Sequence, residues 1–190
     1  LFYDEGFVDT STEPNIHGGA GEALNLKTSL ESHGHTVTTF AGIEAGDFDT
    51  ALSDNTLLAI PELDISLSDA LSEEARTQLA EFVCHGGGLV IMGSPFVSEF
   101  LSSVFGFAAG GFEMPTITFL SDDDPELPAR FADGPATLND PSITWGMVRR
   151  NLPPSATSIY DNGRNSTVVS FPFGSGIVVF LGYDWFGTRP

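Results

Sequence analysis

The sequence predicts an α/β protein: a three-layer, mostly parallel sheet with helices on both faces, ending in a C-terminal antiparallel β meander. Three observations carry this expectation. Strand-like apolar runs alternate with helical segments through residues 1–105, joined by short links, as parallel sheets require. The run LVIMG (residues 89–93) is apolar without alternation, as in a strand covered on both faces. From residue 157 helical signals stop, and β runs are separated by the glycine turns DNGRN and GSG.

The elements follow in order. LFY at residues 1–3 is a short first strand, and residues 7–21, with Pro14 and His17-Gly18-Gly19, read as loop. Residues 20–32 form a helix with Ala23, Leu24, Leu26 and Leu30 on its apolar face, and Gly34 lies where a C-terminal cap belongs. HTVTTF (residues 35–40) is β-branched and alternating, hence a strand; residues 48–53 form a short helix. TLLAIPEL (residues 56–63) is a buried strand stopped by Pro61. Residues 72–85 carry the clearest helix: Ser72 caps it, Glu73 and Glu74 meet the positive end of its dipole, and Ala75, Leu79, Phe82 and Val83 face inward. Gly86-Gly87-Gly88 ends it, and LVIMG follows. SPFVSEFLSSVFG opens the next helix, with Pro95 suited to its first position. The whole chain, residues 1–190, reads as a single domain, with residues 106–154 an irregular insertion or side lobe containing GFAAGGF, SDDDPEL and several prolines.

Composition narrows the function classes. With 41% hydrophobic residues the chain is globular, and 190 residues suffice for one good core. There are 26 Asp+Glu against 7 Lys+Arg, a formal net charge of −19. Such a surface repels nucleic-acid phosphates and anionic membranes. It fits solubility in a salty medium, where screening relieves self-repulsion, or else binding of divalent cations. No apolar run is long enough to span a membrane. The single cysteine excludes an internal disulfide and a multi-cysteine zinc site. The opening LFYD, a strand already under way, is expected of a processed chain or a piece of a longer polypeptide.

FVCHGGGLVIMG (residues 82–93) resembles the helix-GGG-strand signature of class I glutamine amidotransferase-like domains, in particular the branch with ThuA-like proteins and the middle domains of some β-galactosidases. FPFGSGIVVFLGYDW (residues 171–185) is similar to the closing hairpin of that branch, and HGHTVTTF and TLLAIPEL fit its second and third strands. The resemblance implies a flavodoxin-like, amidotransferase-like fold over about two thirds of the chain, excluding residues 106–154. Catalytic members place a cysteine at the turn after the GGG-led strand and a histidine near the last strand. The cysteine position corresponds to Gly93 or Ser94 here, and no histidine follows His85. The resemblance therefore implies the fold without the Cys-His pair.

Candidate sites are few. Ser94 at the strand-to-helix turn is a candidate nucleophile, but its context is GSP, and Pro95 removes the N–H that would stabilise an oxyanion; an N-capping serine is the plainer reading. Cys84, in the last turn of its helix, is expected to be buried and inert. Acidic residues at the predicted strand ends are the more interesting set. Asp4, Glu5, Glu62, Ser94, Asp184 and Trp185 are expected to gather on one rim, since open parallel sheets bind ligands outside the carboxyl ends of their strands. Clustered carboxylates suit Ca²⁺ or Mg²⁺, or acid/base work on a glycosidic bond by Glu62 with Asp4 or Asp184, with Trp185 or Tyr183 stacking on a sugar. Asp122, Asp123, Asp124 and Glu126 form a dense acidic loop, a candidate calcium ligand set without EF-hand spacing.

The leading expectation is a non-catalytic amidotransferase-like module of a larger extracellular protein, acting in binding of a carbohydrate or cation or in assembly with other domains or identical subunits. The alternatives are a carbohydrate-active hydrolase using the strand-end carboxylates, and a self-assembling structural subunit that pairs through an exposed strand edge of the meander.

Overall fold

The computed structural model describes residues 1–3, 6–8, 21–107, 111–122 and 124–183. Chain order is β1 (Phe2–Tyr3), α1 (Glu22–Ser32), β2 (Thr39–Phe40), α2 (Ala45–Leu52), β3 (Leu57–Ile60), α3 (Leu67–Ala70), α4 (Glu73–Cys84), β4 (Gly88–Met92), α5 (Val97–Phe105), β5 (Gly111–Leu120), α6 (Leu127–Arg130), β6 (Thr137–Val148), a 3₁₀ turn (Arg149–Asn151), β7 (Thr157–Asp161), β8 (Asn165–Phe173) and β9 (Gly176–Leu181). The protein is thus α/β, with one mixed sheet in the order β2-β1-β3-β4-β9-β8-β6-β5-β7.

The parallel part comprises β2, β1, β3, β4 and β9. The last strand returns to the middle of the sheet, and Met92 of β4 pairs with Leu181 of β9. Side chains along β3 and β4 alternate between two apolar clusters. Leu58, Ile60, Leu89 and Ile91 join Phe48, Leu79, Val83, Phe100 and Leu101 from α2, α4 and α5. Ala59 and Met92 meet Ala23 and Leu26 of α1. Two-residue periodicity in the strands and helical periodicity in α4 and α5 therefore produce the same core.

Capping behaves as the sequence dictates at α4, where the Ser72 hydroxyl accepts the Ala75 N–H at 3.1 Å. At α5 the helix begins at Val97, so Pro95 lies in the preceding turn and not at the first helical position. Gly106, in the left-handed region at φ 73°, ends α5.

The two sequence motifs behind the family resemblance touch each other. After α4, Gly87 and Gly88 lead into β4, and the Gly174-Ser175-Gly176 turn between β8 and β9 folds over them. The Ser175 N–H donates to the Cys84 carbonyl at 2.8 Å, and the Ile177 N–H donates to that of Gly87 at 3.3 Å. A side chain at Gly176 would run into the Val83 and Gly87 carbonyl oxygens, so glycine there is a packing requirement.

The largest departure from expectation lies in residues 106–154. Within this stretch β5 and β6 are strands of 10 and 12 residues, paired antiparallel, with α6 between them. Strand β6 continues onto β8, β8 pairs with β7, and β7 pairs with the end of β5, so these four strands close on one another. Leu127, Ile159, Tyr160 and Val168 fill the space they share, and the Thr118 and Thr167 hydroxyls meet there at 2.9 Å.

Candidate functional site

The carboxyl ends of β3, β4 and β9 lie side by side, as their register requires. At β3, Pro61 lacks the N–H needed to continue the strand. Glu62 follows, half-buried, and Leu63 bridges antiparallel to Val8. The Asp64 N–H donates to the Phe7 carbonyl at 2.8 Å, so the segment after β1 crosses the end of β3.

At β4 the turn is closed. The Gly93 N–H donates to the Leu181 carbonyl at 2.7 Å. Ser94 is only 1% exposed, and its hydroxyl accepts the Phe96 N–H at 3.2 Å. The side chain thus caps the turn that leads into α5 rather than the helix itself, since Ser94 lies two residues ahead of the N-cap position, Phe96. Strand β6 crosses the turn directly. A methyl group on Gly93 would lie 2.6 Å from Trp145 Cβ and 3.0 Å from Gly182 Cα. The Trp145 N–H donates to the Gly182 carbonyl at 2.7 Å, and the Gly182 N–H donates to that of Thr167 at 2.6 Å. The Ser94 hydroxyl is thus buried at a tightly packed turn, and Pro95 has no N–H to donate there.

The three described histidines are equally remote. His33 caps the C-terminus of α1 and His85 that of α4, and both, like His35, are exposed in segments leading into the amino ends of strands. His17 lies outside the described residues. So do Asp4, Glu5, Asp184 and Trp185, the expected partners of Glu62 and Ser94 on the rim; of that set the structure brings Glu62 and Ser94 to adjacent strand ends.

In the acidic loop, the Asp124 carboxylate accepts the Glu126 N–H at 2.9 Å and sits 3.9 Å from the Arg130 guanidinium. Asp122 and Glu126 are exposed, and Asp123 lies outside the described residues. Among the described residues, no group of three or more His, Cys, Asp or Glu side chains is arranged to hold a metal ion. Cys84 corrects its expectation: it is exposed, because the inward face of α4 is set by Ala75, Leu79 and Val83, and the next residue points about 100° away from that face.

Residues not singled out from the sequence turn out to be organised. Asp161 is buried; its carboxylate accepts from Arg149 at 3.2 Å, from the Ser158 hydroxyl at 2.8 Å and from the Gly163 N–H at 2.7 Å. Ser158 also meets the Ser166 hydroxyl at 2.8 Å. The sequence does carry a signal for this region: Arg149, Arg150 and Arg164 are three of only seven Lys+Arg.

No family model matches the chain, and no curated protein matches it. Solved structures do match in fold. A cytoplasmic protein of Salmonella typhimurium, STM3548, is similar at 13% identity and a TM-score of 0.61, over 96% of this chain and 87% of that one. A putative ThuA-like protein from Bacteroides uniformis matches at 13% identity and a TM-score of 0.57, over 95% of this chain and 79% of that one. The exo-β-1,4-mannosidase Op5Man5 from an Opitutaceae bacterium matches at 15% identity and a TM-score of 0.51, over 96% of this chain and 30% of that enzyme. The resemblance to ThuA-like proteins therefore holds at the level of fold.

Proposed function

We propose that the chain is a non-catalytic, amidotransferase-like module of a larger extracellular protein, with a three-layer architecture, serving in ligand binding or assembly. The observation that carries this reading is the state of Ser94. It occupies the position where catalytic relatives mount their nucleophile, yet it is 1% exposed, its hydroxyl is committed to the Phe96 N–H, and Trp145 lies over the adjoining Gly93. The three described histidines, exposed at the opposite edge of the sheet, support the absence of a nucleophile–base couple. The second apolar cluster, between α1 and the sheet, supports the three-layer arrangement.

A role as part of a longer polypeptide is supported by the mannosidase, where the matching fold occupies 30% of the enzyme. The extracellular setting rests on the −19 charge, which favours a medium of high ionic strength. Binding of a carbohydrate or a cation such as Ca²⁺ rests on Glu62 at the rim. Amide, ester and glycoside panels assayed with the purified chain test the reading. The expected result is no turnover above buffer. Turnover abolished by Ser94→Ala or Glu62→Gln would overturn it, and the glycosidase outcome would restore the hydrolase alternative.

A further inference from the structure

In a chain with 26 acidic and 7 basic side chains, where the basic ones converge is informative. Arg149, Arg150 and Arg164 line a single hollow of about 440 Å³, together with Val148 and Gly163. They arrive from two separate segments. Arg149 and Arg150 begin the 3₁₀ turn after β6, and Arg164 sits in the turn between β7 and β8. Backbone contacts hold the segments together: Val148 pairs with Asn165, and the Arg149 N–H donates to the Arg164 carbonyl at 3.0 Å.

The turn itself is built with care for its geometry. Gly163 takes a left-handed φ of 83°, where a side chain would be strained. The Asn162 side-chain oxygen accepts from the Arg164 and Asn165 N–H groups at 3.1 and 2.9 Å. Asp161, buried beneath, pairs with Arg149 and so anchors one guanidinium. The exposed Arg150 and Arg164 have no ion-pair partner among the described residues. Among the described residues, three guanidinium groups meet one carboxylate here, a locally cationic arrangement on a strongly anionic molecule.

We infer that this hollow is a binding site for a small molecule carrying a phosphate or carboxylate group, gripped by Arg150 and Arg164 and walled by the anchored Arg149. Guanidinium forks match the planar pairs of oxygens on such groups. The volume falls in the range of roughly 300–1,000 Å³ typical of small-ligand pockets. Long polyanions are disfavoured by the −19 field, which leaves a compact anion. Position agrees: β6 runs parallel to β9, both being antiparallel to β8, and it takes up β8 at Ser166 and Asn165 beyond the Val168–Leu181 pair. The hollow therefore lies past the carboxyl end of β9, on the side where open α/β sheets bind ligands. It is separate from Glu62 and Ser94, and it stands or falls independently of the rim.

The test is calorimetric titration of the purified chain with inorganic phosphate and, separately, with succinate, at ionic strength held constant with sodium chloride. Saturable binding of one or both is expected, and the probe that binds identifies the anion class. Arg164→Ser should weaken it by about tenfold or more, the usual weight of a charge-assisted hydrogen bond, and adding Arg150→Ser should weaken it further. Both side chains are exposed, so the fold should survive, which thermal unfolding of each variant verifies. Arg130→Ser, a cation outside the hollow, should leave affinity unchanged. Absence of saturable binding by both probes, or equal loss in Arg130→Ser, would overturn the inference.

Discussion

Replacing Gly182 by alanine probes the contact that seals the strand-to-helix turn. A methyl group there would overlap the Trp145 carbonyl oxygen, which is backbone and has no rotamer to escape into. Relief requires β6 and β9 to separate. That strains the Trp145-to-Gly182 and Gly182-to-Thr167 hydrogen bonds, at 2.7 and 2.6 Å, and loosens the neighbouring Gly93-to-Leu181 bond. Overpacking of this kind costs about 1–3 kcal/mol, and each hydrogen bond lost costs about 1 kcal/mol. With two of the three bonds weakened, the total is about 3–5 kcal/mol, a large share of the roughly 5–15 kcal/mol that holds a domain together. For a chain of this length that lowers Tm by about 6–20 °C. Gly46→Ala in α2 is the control: nothing lies within 4 Å of the added methyl, and the exchange should stabilise by about 0.5–1 kcal/mol. Thermal and urea denaturation of both variants give the comparison. A Gly182→Ala variant melting within about 2 °C of the parent would show that β6 does not press on this turn, and the explanation for an inaccessible Ser94 would go with it.

Four further outcomes are expected. Ser94→Ala should lose about 1 kcal/mol in denaturant unfolding, the weight of its bond from Phe96, since the hydroxyl serves structure. Asp161→Ala should cost about 3–5 kcal/mol by leaving Arg149, Ser158 and Gly163 without their shared acceptor, and should blunt anion binding in the same titrations. Burial raises the Tyr160 phenol above its ordinary value, so the folded state holds this proton longer than the unfolded chain does. Its contribution to stability is present below pH 10 and is lost as pH rises through the folded value; Tyr160→Phe should flatten that alkaline decline and cost about 1 kcal/mol near neutrality through the bond to the Pro135 carbonyl. Tm should climb as sodium chloride increases towards about 1 M, where the screening length is near 3 Å, because −19 charges repel one another less. A flat salt response would count against charge repulsion as a limit on stability.

The elements visible in the sequence are those whose cause is local. Ser72 caps α4 because a hydroxyl two or three residues before free N–H groups will do so almost anywhere. Leu58, Ile60, Leu89 and Ile91 alternate because a strand has only two faces. What escaped notice has non-local causes. Pro115 and Pro141 made residues 106–154 look unlike strands, yet both fall where the pairing of β5 with β6 is irregular: the register shifts between Met114 and Thr116, and the pairing steps from Asp140 to Thr144. Cys84 is exposed because it lies one residue of helical phase past Val83, off the buried face of α4.

The sequence by itself determined the α/β alternation, the parallel strands and the glycine turns at residues 86–88 and 174–176, since these follow from periodicity and from turn chemistry. It also shows that no histidine follows His85. Tertiary structure alone decided that β6 returns across the end of β4, bringing Trp145 against Gly93, next to the buried Ser94. It also decided that arginines from two distant turns share one hollow. Both depend on long-range strand pairing, whose partners are chosen by the whole sheet and leave no mark in any short window of sequence.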